Sequence, residues 1–412
     1  MKAVKAAAKA VKSPHAETVR KAVAAPMLEV PEPKLTWMNK SRQWGVRVKP
    51  GKKGLTLGSL NVGIYGEIPM DWPDQTRNPR GAIGRKGMPP VGYMLRSKSQ
   101  VWADSAADLY EEAIQRRWAP ATDVPWNTVK PLPDDLERAV CQVNTELSQY
   151  ANVEIEVISA WQHQMVYGYH EVKQYLATAG FDAARHYEVF RKRALINGGG
   201  LGLEGPGQVN RMILESRGGW TEAVVYLVLV RGLLTQTILR YLERYASNEA
   251  ESFIYRNVLQ DKARLMTYGL DHLKFAIAHN EDQKQIVATL LAIGDGLFIR
   301  DFNDPVLREA LAIIFGGSID GARGAGMDVY HDMMRAYIST HLEYCQWLDV
   351  PRRVPERLEQ YAPQDSAWPH FLPSNGLTMS AIFSITKSLF GVVAADNAIV
   401  SRESKLVMRF LY

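Results

Sequence analysis

From about Ser105 onward, apolar residues recur at helical spacing in long runs, the pattern of amphipathic and buried helices rather than of strands. The first run is ADLYEEAIQRRW, and a proline-rich turn over 119–133 leads into a long helix predicted from the acidic pair Asp134-Asp135 to about Tyr167. Further helices are predicted over 172–195, 219–246 and 248–279, with a glycine hinge from Gly198 to Gly207. Four long helices in succession is the count of a four-helix bundle, here over about 134–280. A second helical layer is predicted over 283–300, 305–315 and 322–348, and a last amphipathic helix over 377–393, past the breaks at Pro351 and Pro355.

The helical pattern is absent from the first hundred residues. Residues 1–25 are a low-complexity arm of Ala, Lys and Val, followed by a segment punctuated by Pro26, Pro31 and Pro33. Short apolar alternations over 44–64, centred on Pro50-Gly51-Lys52-Lys53-Gly54, predict a small β-hairpin. The Pro, Gly and Arg content of 66–98 predicts an extended arm with no core of its own, the kind that wraps a partner. The expected organisation is therefore an all-α protein in three parts: a basic extended arm with a hairpin over 1–100, a helical domain over 101–350, and a tail with one helix over 351–412.

Composition narrows the picture. A chain of 412 residues with 46% hydrophobic and 23% charged residues can bury a full core. Its net charge of +5 is matched by the first 25 residues alone, where Lys2, Lys5, Lys9, Lys12, Arg20 and Lys21 face only Glu17. The body is near neutral, which argues against nucleic-acid binding by a broad basic face. The arm has some likeness in composition to an organellar presequence, but a flexible basic arm is the plainer reading. Cys141 and Cys345 have neither framework nor metal-ligand spacing and suggest core thiols in a reducing, cytoplasmic compartment. The apolar stretch 223–240 is interrupted by Arg231 and by Thr235, Gln236 and Thr237, and 378–400 by Ser380, Thr386, Lys387 and Ser388. Neither is expected to span a membrane. No phosphate loop, nucleophile elbow or zinc spacing is present, and Gly198-Gly199-Gly200-Leu201-Gly202 lacks the preceding strand of a dinucleotide fingerprint.

Two short segments are near-copies of each other: Asp182-Ala183-Ala184-Arg185-His186 and Asp261-Lys262-Ala263-Arg264-Leu265, each on a long predicted helix. Each resembles the Asp-Glu-x-Arg-His box that ferritin-like diiron carboxylate proteins carry twice, with Glu and His at i, i+3 projecting into the bundle. YEVFRKRAL at 187–195 and LMTYGLDHLKF at 265–275 lengthen the likeness. The chain therefore resembles the superfamily that includes the soluble methane, toluene and phenol monooxygenase hydroxylases. That resemblance implies a ferritin-like four-helix bundle with additional helices and a site that has lost most of its ligands. Ala183 and Lys262 stand where Glu is expected, Leu265 stands for one His, and only His186 is retained. On the third helix Arg231-Gly232 replaces a common Glu-Gly, while on the first helix Glu154, or else Glu156, matches the remaining carboxylate.

A diiron centre of the family's kind would need four carboxylates and two imidazoles. Glu154 and His186 cannot supply that, and Arg231 and Lys262 add cations where metal cations would sit. If both point inward, they are expected to pair with Glu154, Asp182 or Asp261 as an ion-pair network in place of metal. Asp182, Arg185, Asp261 and Arg264 match family positions that brace the ligating histidines and neighbouring helices; without ligands they read as inter-helix struts. His186 reads as a hydrogen-bonded core histidine. An unfamiliar metal site from Glu154, His163 and His186, with His170 on the same face as His163, is the competing arrangement, but no further ligand is evident. The scattered tryptophans, Trp118 among them, read as packing.

The resemblance implies a non-catalytic, structural hydroxylase-type subunit with no cofactor of its own, assembled as a hetero-oligomer with a homologous diiron catalytic subunit that holds the iron. The alternatives are an oxygenase with an atypical metal site, or a metal-free enzyme in which Arg231 and Lys262 bind an anionic substrate in the vacated cavity. A purely structural homo-oligomer is the third reading.

Overall fold

The long apolar runs fold as helices close to their predicted limits. A computed structural model describes residues 32–40 and 43–363; the basic arm over 1–25 and the helix expected over 377–393 lie outside the described residues. The chain divides into two compact units, Met1–Gly45 and Val46–Tyr412. Within the first, the described residues form one helical turn, Met38–Lys40.

In the second unit, α1 is Ala106–Gln115, α2 is Asp134–Gln164, α3 is His170–Ile196 and α4 is Gln208–Glu215. Next come α5, Trp220–Arg244, and α6, Glu249–His279. A second layer is built from α7 (Asp282–Phe302), α8 (Pro305–Gly316) and α9 (319–347). Among the described residues no strand forms, so the fold is all-α.

Local chemistry sets the ends. Asp134, Asp135 and Glu137 lie in the first turn of α2, where the helix dipole favours anions. The Asn248 side chain accepts from Glu251 N at 2.9 Å and starts α6, and Asp304 with Pro305 starts α8.

α2 and α3 form one antiparallel pair, α5 and α6 another, and α3 packs on α6 to join them. One helix among the described residues, α5, is long and apolar enough to cross a membrane, but 94% of its apolar window is buried inside the protein. It is the core helix of the bundle. Over Val225–Gly232 it opens into a wider, π-type turn, which brings Leu227 O so close to residue 232 that a Cβ there would stand 2.6 Å from it. Only glycine fits at that point. α5 and α6 also approach closely at Gly269, whose missing Cβ makes room for Val228.

The hairpin expected around Gly51–Gly54 is corrected. The segment makes a single tight turn in which Gly51 and Gly54 exchange backbone hydrogen bonds of 2.9 and 3.0 Å. Single helical turns come after it at Gly58–Leu60 and Gly63–Tyr65. The reason is competition: Leu57 N donates to Glu111 on α1 at 2.6 Å, and Asn61 Nδ2 donates to Glu171 on α3 at 2.8 Å. One backbone donor that a ladder would pair, Leu57 N, is thus taken by a helix side chain, and the Asn61 side chain pins the segment further.

The extended segment 66–98 is anchored to its own helices at Arg80 and at Leu95, while 81–90 stays exposed. Arg80 is buried and reaches Glu171 at 2.6 and 3.1 Å and Gly168 O at 3.0 Å. Leu95 pairs with the start of the α2–α3 connection, accepting from Val166 N at 3.1 Å and donating to Gln164 O at 3.0 Å.

Two buried histidines pin neighbouring elements, and His341 ties the second layer to α5. His272 on α6 lies between Trp102 O at 3.1 Å and Thr221 Oγ1 at 3.0 Å. His341 on α9 accepts from Arg352 Nε at 2.8 Å, which fixes the neutral tautomer that donates from Nδ1 to Leu229 O. Burial pushes His272 down to about 4, and burial with the Arg352 charge pushes His341 down to about 3. Both are neutral when folded, whereas the unfolded chain takes up their protons below about pH 6.5. Stability is therefore full above that pH and is lost as pH falls towards the folded values. Urea unfolding at pH 5 against pH 7 is expected to show a loss of about 1–2 kcal/mol per histidine, with a smaller pH effect in His341→Gln.

Candidate functional site

The two boxes sit on α3 and α6 with their acidic and basic members facing each other across the pair. Asp182 accepts from Arg185 at 2.5 Å and from Arg264 at 2.8 Å. Asp261 accepts from Arg185 at 3.0 Å and also from Arg264. Each aspartate thus bridges both arginines, and each arginine both aspartates. All four side chains are under a tenth exposed. The i, i+3 spacing puts Asp and Arg on one helix face, and repeating it on a facing helix closes the ring.

Asp261 carries two more donors, His186 Nε2 at 3.0 Å and Trp118 Nε1 at 2.9 Å. Arg185 in turn donates to Trp118 O at 2.7 Å and lies over its ring at 4.9 Å. Burial alone would raise the Asp261 carboxyl, but the hydrogen bond from His186 and the charges of Arg264 and Arg185 outweigh it and bring it down to about 2. Trp118 was legible in the sequence only as packing. Its role comes from the 119–133 turn, which returns the indole to the box helices.

Next to this ring lie Glu154, Lys262, Ala183 and Leu265, the positions singled out in the sequence. Lys262 is buried and ion-paired to Glu154 Oε2 across the bundle, joining α6 to α2. Glu154 Oε1 and His186 Nδ1 are buried without a hydrogen-bond partner. His186 is held as the neutral imidazole, by burial first and by the Lys262 charge, against the pull of Asp261. Ala183 and Leu265 are buried and contribute no donor atom.

A divalent metal centre does not fit these residues. The free donors are one carboxylate oxygen and one imidazole nitrogen, and an ammonium stands on the same carboxylate. Among the described residues no group of three or more His, Cys, Asp or Glu is arranged to hold a metal ion. The alternative set is also not assembled: His163 is exposed in the last turn of α2, His170 lies 3.5 Å from Glu171, and Glu156 is exposed and accepts from Asn152.

Arg231 is a correction to the expectation that it joins Glu154, Asp182 or Asp261. Its guanidinium stacks 3.8 Å over the Tyr150 ring and reaches Asp301 on α7 at 3.4 Å. Arg231 and Lys262 have different partners, so the two cations do not converge on one ligand. The sequence offered no signal for Asp301, which lies in the second helical layer.

No protein-family model matches the chain, and no curated protein matches it. Among solved structures, it is similar to a substituted R2-like ligand-binding oxidase with an aerobically reconstituted Mn/Fe cofactor, at 15% identity and a TM-score of 0.37, over 62% of this chain and 88% of that one. It is also similar to an R2-like ligand-binding oxidase with a reconstituted metal cofactor after photoconversion, at 14% identity and a TM-score of 0.35, over the same shares. The residue geometry carries the site by itself: a ring of four charges, a buried ammonium–carboxylate pair and one histidine.

Chemically, this arrangement locks helices together. Both oxygens of each acid in the ring accept from an arginine, so neither Asp182 nor Asp261 has an unpaired carboxylate oxygen.

Proposed function

We propose that this chain is a metal-free, structural ferritin-like subunit of a diiron monooxygenase-type hydroxylase complex, assembled with a homologous subunit that holds the iron. The observation that carries the reading is the Lys262–Glu154 ion pair, which sets an ammonium where a diiron bundle needs an anionic ligand. The ion-paired Asp182–Arg185–Asp261–Arg264 ring supports it, because the bracing residues of the two boxes persist where the ligand positions hold Ala183, Lys262 and Leu265. Such a subunit contributes shape and docking surface, and oxygen chemistry belongs to its partner.

The test is elemental analysis of the purified full chain, alone and after co-expression with an intact-box homologue. The chain alone is expected to carry only traces of iron or manganese, and the co-expressed pair to co-elute with the metal in the other subunit. About two metals per chain in the isolated protein would overturn the reading. A chelator such as EDTA is expected to leave the unfolding midpoint of the isolated chain unchanged, since no bound metal contributes to folding; a fall of several degrees would contradict it.

A further inference from the structure

Away from the box residues, α2, α5, α7, α8 and α9 enclose a small cavity of about 50 Å³, with Arg231, Glu146 and Tyr150 among its walls. In such a measure one water needs about 10–15 Å³, so the space suits about four or five non-hydrogen atoms. Its remaining surface is largely apolar, from Leu234, Phe298, Leu307, Leu311, Met333 and Met334.

The guanidinium of Arg231 is under-served. The residue is only 4% exposed, and its Nε is buried without a partner. Its ion pair to Asp301 is long, at 3.4 Å. Asp301 is meanwhile committed to the start of α4, accepting from Gln208 N at 2.8 Å and Val209 N at 3.0 Å. Asp304 is likewise engaged by Val306 N at 3.1 Å. Glu146 is raised above the usual carboxylate range by burial, which the Arg231 charge only partly offsets, and it makes no ion pair with Arg231. Arg308 adds a second cation to the wall. The cavity thus holds an incompletely neutralised planar cation above an apolar floor, the complement of a small carboxylate with a short hydrocarbon tail.

We propose that this cavity is a binding site for a short-chain carboxylate, with Arg231 gripping the carboxylate group and Leu234, Leu311 and Met333 around the tail. The site is separate from the Lys262–Glu154 pair and independent of whether the chain is a structural subunit. Occupancy would fasten α5 to α2 and α7 by giving the Arg231 guanidinium a second anionic partner beside the long Asp301 pair.

The test titrates the full-length protein with carboxyl-¹³C propionate and follows the ligand resonance, using sodium chloride and the neutral isostere propionamide as comparisons. Saturable, single-site binding of propionate is expected, with propionamide weaker by about tenfold or more and chloride not competing at equal ionic strength. Arg231→Gln is expected to weaken propionate by about tenfold or more, and Leu311→Trp, which fills the cavity and leaves Arg231 in place, to abolish binding. If Arg231→Gln does not fold, Leu311→Trp decides. No saturable binding to the wild-type chain, equal binding of propionamide, or undiminished binding to a folded Leu311→Trp protein would overturn the proposal.

Discussion

Replacing Lys262 by Met is expected to destabilise the protein by about 3–5 kcal/mol, because it leaves the Glu154 carboxylate buried and unpaired. Glu154 is 2% exposed and its Oε1 already lacks a partner, so no neighbouring donor is free to compensate. The double replacement Glu154→Leu, Lys262→Met removes both charges and is expected to return to within about 1 kcal/mol of the wild type, or to exceed it. Urea unfolding of the four proteins in the cycle measures this directly. A loss below about 1 kcal/mol in Lys262→Met would show that the ammonium does not plug the centre of the bundle, and the structural-subunit reading would lose its main support.

Asp261→Ala is expected to be more damaging, on the order of 5 kcal/mol, since His186 and Trp118 lose their only acceptor while Arg185 and Arg264 are left sharing Asp182 as their one acid. Asp182→Ala strands only Arg185 and Arg264, each of which keeps Asp261, and should cost clearly less. The carboxyl of Asp261 is held down at about 2, against about 3.9 for an unfolded aspartate. A depressed carboxylate contributes stability that is complete above the unfolded value and disappears as pH falls from about 4 towards 2. That contribution is roughly 2 kcal/mol, and Asp261→Asn should remove it from the acid limb of the stability profile. Equal losses for Asp182→Ala and Asp261→Ala would refute the hub role of Asp261.

Much of the bundle was legible because helices are written in local spacing. The predicted 172–195 and 248–279 match His170–Ile196 and Glu249–His279 to within two residues, since apolar periodicity and the Asn248 cap are both short-range signals. The hairpin around Gly51–Gly54 was not, because its alternation is indistinguishable from that of a segment pinned by distant helix side chains such as Glu111 and Glu171. In the site, the Asp–Arg boxes were legible because two near-identical segments repeat at 182–186 and 261–265 and resemble a known motif, with Asp and Arg at i, i+3. The partner of Arg231 was not, and the wide turn over Val225–Gly232 explains why. An extra residue in a helical turn rotates the remainder of the helix by about 100°, so a face assigned by regular periodicity is wrong beyond it.

By itself the chain's order of residues determined which segments are helical, and that Ala183, Leu265 and Lys262 offer neither a carboxylate nor an imidazole to a metal. Those are properties of side-chain chemistry and of neighbours three or four positions apart. Only the tertiary structure decided that Lys262 meets Glu154, that Trp118 and His186 converge on Asp261, and that Arg231 turns to Tyr150 and Asp301 at a cavity of its own. Pairing across a bundle depends on helix phase, crossing geometry and desolvation, none of which is a function of local sequence.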